Sequence, residues 1–154
     1  MCGIAGIYSH RSVAGELYDS IIHLQHRGQD AAGIVTYDNR MHKEKGVGLA
    51  KEIFNDDNIK LLTGNIGISH NRYPTQGGFG HGEVQPFWTS VPYGIALAHN
   101  GNLTNYNELA SEVTKTETRY LNTTSDSEVL LHLFADDLHQ EVPPQTNEEF
   151  FDLL

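Results

Sequence analysis

Apolar positions fall in short runs that switch between period-two and helical spacing along the chain. Gly3–Tyr8 (GIAGIY) is an apolar run bounded by Ser9, His10 and Arg11, which predicts a buried strand almost at the N-terminus. Leu17, Ile21, Ile22 and Leu24 recur near helical spacing, so a helix follows, with Gly28 as its C-terminal stop. Residues 31–37 and 41–46 flank Asp38-Asn39 and predict a hairpin whose second arm, being polar, lies at a sheet edge. Residues 66–72 and 93–100 mix apolar and polar side chains with period two and predict two more strands. Between them, residues 74–88 carry Gly77, Gly78, Gly80 and Gly82, too much glycine for regular structure, and a loop of that length is more often functional than structural.

Two helix starts are marked by polar caps. Asn105 stands three residues before Glu108 and Ser125 three before Glu128, each resembling a capping box. In the second helix Val129, Leu130, Leu133, Phe134 and Leu138 form the expected buried stripe. After Pro143-Pro144, Thr146 and Glu149 repeat the cap pattern ahead of Phe150, Phe151, Leu153 and Leu154. That helix has barely begun when the chain stops, so the 154 residues are expected to be a domain cut short at its C-terminal end.

Composition narrows the class. The chain suits one domain, and no run approaches the ~18 apolar residues of a membrane span. Ten Lys and Arg against 20 Asp and Glu give a net charge of −10, which argues against a nucleic-acid partner. With one cysteine there is no intramolecular disulfide, and without an apolar leader the default compartment is the cytoplasm. Nine histidines raise a metal hypothesis, but none shows an H-x-x-x-H or H-E-x-x-H pattern. His70 and His99 end predicted strands and His81 lies in the glycine-rich loop; packing, hydrogen bonding and solvation account for them, and no metal site is assigned.

The one cysteine is residue 2. A lone cysteine is often just a small buried hydrophobe. A nucleophilic thiol needs a base, since an unperturbed one is only about 3% thiolate at neutral pH. If Met1 is removed, Cys2 carries its own base, an α-amine with a reference pKa of ~7.7–8. Position alone leaves the two readings balanced.

The blocks MCGIAGIY, LQHRGQDAAGI, HNRYPTQG, VQPF, YGIALAHNGNLTN and TTSDSE, in this order, resemble the glutaminase domain of the amidophosphoribosyltransferase family. These are class II glutamine amidotransferases of the N-terminal nucleophile hydrolase type, and the likeness covers residues 2–140. It implies an α+β fold, a four-layer αββα sandwich with two stacked antiparallel sheets between helical layers. It also implies hydrolysis of glutamine through a thioester on Cys2, with the Asn100 side chain and the Gly101 N–H as oxyanion donors. Arg72 and Asp126 match the positions that hold the substrate carboxylate and ammonium, Thr75 the loop that closes over glutamine, and Arg27 and Gly28 the support of the N-terminal cysteine.

Each position has a plainer reading from the residues alone. Asn-Gly is a strong hairpin signal, Asp126 favours a helix N-terminus, and Arg72 could be a surface charge. Residues 77–82 (GGFGHG) depart from the Ser and Ala that the resemblance leads one to expect. The resemblance further implies a phosphoribosyltransferase domain absent from this chain, which would use the ammonia to make phosphoribosylamine from phosphoribosyl pyrophosphate. No cofactor is implied for this chain, magnesium belonging to that missing domain, and the full-length enzyme is expected to be a homo-oligomer. The alternatives are the glutaminase domain of another class II amidotransferase and a glutamine-binding module in which Cys2 is idle.

Overall fold

The computed structural model describes residues 1–73, 81–115, 120–140 and 146. Four strands form the larger antiparallel sheet: β1 (Gly3–Tyr8), β2 (Ala31–Tyr37), β3 (Met41–Val47) and β4 (Ile66–Arg72), in the order β1-β4-β2-β3. The period of two shows in β4 and β2, whose alternate side chains reach opposite faces. Ala32, Ile34 and Thr36 point to one side. There α1 (Ala14–His23) lays Val13, Ala14, Leu17 and Ile21 against Ala32 and Ile34, joined by Ala50, Phe54 and Leu62 from the region of α2 (Ala50–Ile53) and α3 (Asp56–Leu61).

The opposite face meets a second, two-stranded antiparallel sheet of β5 (Phe87–Thr89) and β6 (Ile95–Leu97). Lys43 of β3 lies over the Trp88 ring, and Lys45 donates to the carbonyls of Val84 and Pro86, pinning the entry to β5 onto the first sheet. An apolar cavity of about 260 Å³ remains between the sheets, lined by Val35, Tyr37, Ile66 and Ile68 on one side and Gly94 and Ala96 on the other. Outside the second sheet lies α5 (Asp126–Gln140), in contact with β5 and β6, and α4 (Tyr106–Lys115) packs on α5. The layers therefore run helix, sheet, sheet, helix, the expected αββα sandwich.

Several expectations need correction. β1 is an edge strand, not a buried one: it pairs only with β4, and alternation turns Ile4 and Tyr8 to a face that stays exposed at this edge of the sheet. α1 ends at His23 with Leu24 as its cap and runs on into a 3-10 turn over Gln25–Arg27, while Gly28 is extended, at φ −165°. Gly28 is needed for closeness: a Cβ there would lie 2.6 Å from the Arg72 carbonyl carbon. The strand expected over 93–100 is only Ile95–Leu97, and the chain leaves the ladder before His99. The next element after Asn100-Gly101 is the helix α4, not a strand, so that pair does not turn a hairpin.

The hairpin of β2 and β3, with β3 at the edge, forms as expected. The start of α5 keeps half of its capping box. Ser125 Oγ accepts from the Ser127 N–H at 3.3 Å, but the Glu128 carboxylate turns back to Asn122 and Thr123. Its buried stripe is Leu131, Ala135 and Leu138 with Val129, while Leu130, Leu133 and Phe134 are half-buried. The helix expected after Pro144 lies outside the described residues. No helix among the described residues is long and apolar enough to cross a membrane.

Candidate active site

The register of β1 against β4 pairs Gly3 with Asn71, so the next step outward sets Cys2 opposite Arg72. Cys2 is half-buried, and its Sγ lies 3.8 Å from the Tyr73 carbonyl oxygen. Its backbone is held from two sides. Asn100 Oδ1 accepts from the Cys2 N–H at 3.2 Å, and Asn100 Nδ2 lies 3.5 Å from the Cys2 carbonyl oxygen, which also accepts from Arg27 Nε at 3.2 Å. Met1 is 71% exposed, with its sulfur 3.8 Å from Arg27 Nη2.

Arg27 reaches Cys2 because the 3-10 turn and Gly28 lie flat on the end of β4. Gln25 fixes this arrangement: its Nε2 donates to the Gly28 carbonyl at 2.6 Å and its Oε1 accepts from the Ala50 N–H at 2.8 Å. Further on, the Asp30 N–H donates to the Arg72 carbonyl. The loop holding the cysteine and the strand carrying the arginine are thus one hydrogen-bonded unit.

Arg72 is almost buried at 9% exposure, on the face of the sheet toward β6, and its Nη2 lies 4.0 Å from Glu83 Oε2. A guanidinium so enclosed is not a solvated surface charge. His70, two residues earlier on the same face, is fully buried, and neither ring nitrogen makes a well-formed hydrogen bond with a described residue. Burial, and then the Arg72 charge, push the His70 pKa down from 6.5 to about 4, so the ring is neutral at physiological pH.

His99 anchors the other wall. Its N–H donates to Gln85 Oε1 at 2.7 Å, its Nδ1 lies 3.2 Å from Ser127 Oγ, and Gln85 Nε2 donates to the same hydroxyl at 3.0 Å. The backbone of Gly101 sits against the imidazole so closely that a Cβ would come within 2.4 Å of Nε2. Asp126, in the first turn of α5, accepts from the Leu103 N–H through Oδ2 at 2.9 Å, and its Oδ1 is 3.9 Å from His99 Nδ1. The start of α5 thereby fixes the loop that presents Asn100 and Gly101.

Cys2, Arg27, Gly28, Arg72 and Asn100 meet at one end of the large sheet, and Asp126 joins them through the loop 99–103. Thr75 lies outside the described residues, with the rest of 74–80, while the remainder of the expected loop holds the 3-10 turn His81–Glu83 and the start of β5. Sequence reasoning overlooked Gln25, Glu83, Gln85 and Ser127. All but Glu83 stand inside quoted blocks, LQHRGQDAAGI, VQPF and TTSDSE, and for Gln85 a polar residue among apolar neighbours marks a buried hydrogen-bonding position.

Comparison with known proteins matches residues 78–151 to the glutamine amidotransferase domain family. Amidophosphoribosyltransferase of Pseudomonas aeruginosa is 49% identical over 97% of the chain, and that of Escherichia coli 50% identical over 90%. The chain belongs to the amidophosphoribosyltransferase family. It spans about 30% of the P. aeruginosa relative and 28% of the E. coli one, so it corresponds to one part of these amidophosphoribosyltransferases. Among solved structures, the glutamine phosphoribosylpyrophosphate amidotransferase of B. subtilis, complexed with ADP and GMP, aligns with a TM-score of 0.76 at 34% identity. It is matched over 99% of this chain and 32% of its own. The fold and the recognition of this family from its blocks thus agree.

Proposed function

We propose that the chain is the glutamine-hydrolysing part of an amidophosphoribosyltransferase, with Cys2 as nucleophile once Met1 has been removed. The observation that carries this reading is the convergence on Cys2: Asn100 and Arg27 both hold its backbone, at the end of the strand pair that carries a buried arginine. Met1 is exposed, so its removal needs no unfolding. The freed α-amine then takes the Sγ proton, directly or through a water, as Sγ attacks the carboxamide carbon. The oxyanion is met by Asn100 Nδ2 and the Gly101 N–H, each worth about 2.7–4 kcal/mol in sites of this kind.

Collapse breaks the C–N bond, and ammonia leaves with the proton held by the amine. Water hydrolyses the thioester to glutamate and regenerates the thiol. Arg72 offers a planar fork to the substrate α-carboxylate, and Asp126 keeps acceptor capacity for the α-ammonium beyond its bond to Leu103. Thr75 and its loop close over the substrate, and Arg27 and Gly28 hold Cys2 in place. The nucleophile, base and oxyanion donors all come from the protein, so this half-reaction calls for no metal or cofactor.

In the longer protein the ammonia would displace pyrophosphate from phosphoribosyl pyrophosphate, giving phosphoribosylamine for purine synthesis in the cytoplasm. The remaining length of the relatives is where a phosphoribosyltransferase domain, its magnesium and the oligomer contacts would lie. Glutamate release by the processed protein tests the reading. Turnover lost in Cys2→Ala supports it, and turnover that survives the substitution overturns it.

A further inference from the structure

Glu83 is a carboxylate at 7% exposure to which the reaction above gives no task. It ends the 3-10 turn His81–Glu83 and reaches in two directions. Oε1 accepts from the Thr124 N–H at 2.9 Å and from Thr124 Oγ1 at 3.1 Å, and Oε2 faces Arg72 Nη2 at 4.0 Å. Thr124 lies two residues before Asp126. One buried side chain therefore lies within ion-pair distance of the arginine assigned to the substrate carboxylate and hydrogen-bonds the segment that delivers the aspartate assigned to its ammonium.

The surroundings make this link stiff. Glu128 takes hydrogen bonds from Asn122 and Thr123, just ahead of Thr124, and Gln85 ties His99 to Ser127, just after Asp126. Lys45 fixes the Val84 carbonyl between Glu83 and Gln85. With Thr124 filling one oxygen, the other faces one edge of the guanidinium at an ion-pair distance of 4.0 Å, and a charge fixed at that edge biases where the remaining N–H groups of the planar fork point.

We propose that Glu83 is a positioning residue that sets the separation and orientation of Arg72 and Asp126, and so selects a free α-amino acid as the substrate. The proposal rests on the glutamine reading above. Glu83 touches neither Cys2 nor the oxyanion donors, so its effect falls on ground-state recognition and not on the chemical step. In Glu83→Gln one oxygen becomes an NH2 group, which must confront either a Thr124 donor or the Arg72 cation. The guanidinium loses the Glu83 charge and the bias that charge sets on its fork.

The test uses the intact protein with Met1 removed. Glu83→Gln should raise KM for glutamine about tenfold with kcat changed less than threefold. Competitive inhibition should shift in parallel: the preference for glutamate over isoglutamine, its α-amide, should fall about tenfold. Alkylation of Cys2 by iodoacetamide, which bears no amino-acid group, should keep its rate. Thr124→Ala should move KM in the same direction by about threefold, and Thr124→Ser should restore it.

An unchanged or lower KM in Glu83→Gln overturns the proposal, since Glu83 would then only neutralise Arg72. Equal losses in kcat and in iodoacetamide alkylation also overturn it, as the signs of a general structural defect. Should Glu83→Gln fail to fold by circular dichroism, the Thr124 pair decides, and no KM change in Thr124→Ala rejects the link. Wild-type protein unable to hydrolyse glutamine would overturn the functional reading itself, and this proposal with it, a result visible before any variant is made.

Discussion

Replacing Glu128 with glutamine removes the carboxylate that organises the approach to α5. Glu128 is 4% exposed and accepts from the Asn122 N–H at 3.0 Å, Asn122 Nδ2 at 2.9 Å, the Thr123 N–H at 2.8 Å and Thr123 Oγ1 at 2.8 Å. Burial alone would raise its pKa, but His132 beside it and the hydrogen bonds from Asn122 and Thr123 outweigh burial and bring the pKa from 4.5 to about 2. At 1.36 kcal/mol per tenfold change, that drop makes the charged form worth about 3 kcal/mol more to the folded protein than to the unfolded chain. A lowered carboxylate pKa gives stability that is complete above the unfolded value of 4.5 and lost as the pH falls toward 2.

Urea unfolding followed by circular dichroism, at pH 7, 5.5 and 3, reads this directly. Glu128→Gln should be less stable than the wild type by about 3 kcal/mol at pH 7 and pH 5.5, and the gap should shrink to under half by pH 3. A gap below about 1 kcal/mol at pH 7, or one that does not narrow at pH 3, would show that the Glu128 charge does not stabilise the fold in this way.

Other perturbations follow from the same geometry. Gly28→Ala puts a Cβ 2.6 Å from the Arg72 carbonyl carbon, a backbone clash that should cost about 1–3 kcal/mol of stability and depress glutamine turnover, both read on one preparation. In His70→Phe a pH-dependent loss disappears. The wild type, with His70 held at about 4, gives up about 2 kcal/mol between pH 8 and pH 5 as the unfolded chain takes up a proton, and the variant should not. Parallel melts at the two pH values check it. Asn100→Ala removes one of the two proposed oxyanion donors and should lower kcat about 10²–10³-fold, with a smaller change in KM, in a steady-state glutaminase assay.

What could be read from the sequence followed from how local its cause was. β2, β3 and β4 announce themselves because alternation and the Asp38-Asn39 turn are short-range signals. β5 does not: Phe87–Thr89 is three residues long, and the Lys43 and Lys45 contacts that hold its region come from a strand some 40 residues away in the chain. The helices α2 and α3 were overlooked because they have four and six residues, too few to show a 3.6-residue period. At the site, Cys2, Asn100 and Arg72 were visible through the family blocks, since nothing in their spacing says that residues 98 apart in sequence share hydrogen bonds. Gly28 was found for the wrong local reason. Its need for a missing side chain comes from β4 lying across it, a tertiary contact no helix-stop rule contains.

The central claim is that the thiol of Cys2, with its own amine free, attacks the amide carbon of glutamine. Intact-mass and peptide mapping after incubation with diazo-oxo-norleucine, an electrophile shaped like glutamine, tests it most directly. The expected result is a chain lacking Met1, one adduct per chain located on residue 2, and protection by added glutamine. A chain that keeps Met1, or an adduct that is absent, elsewhere or indifferent to glutamine, would contradict it.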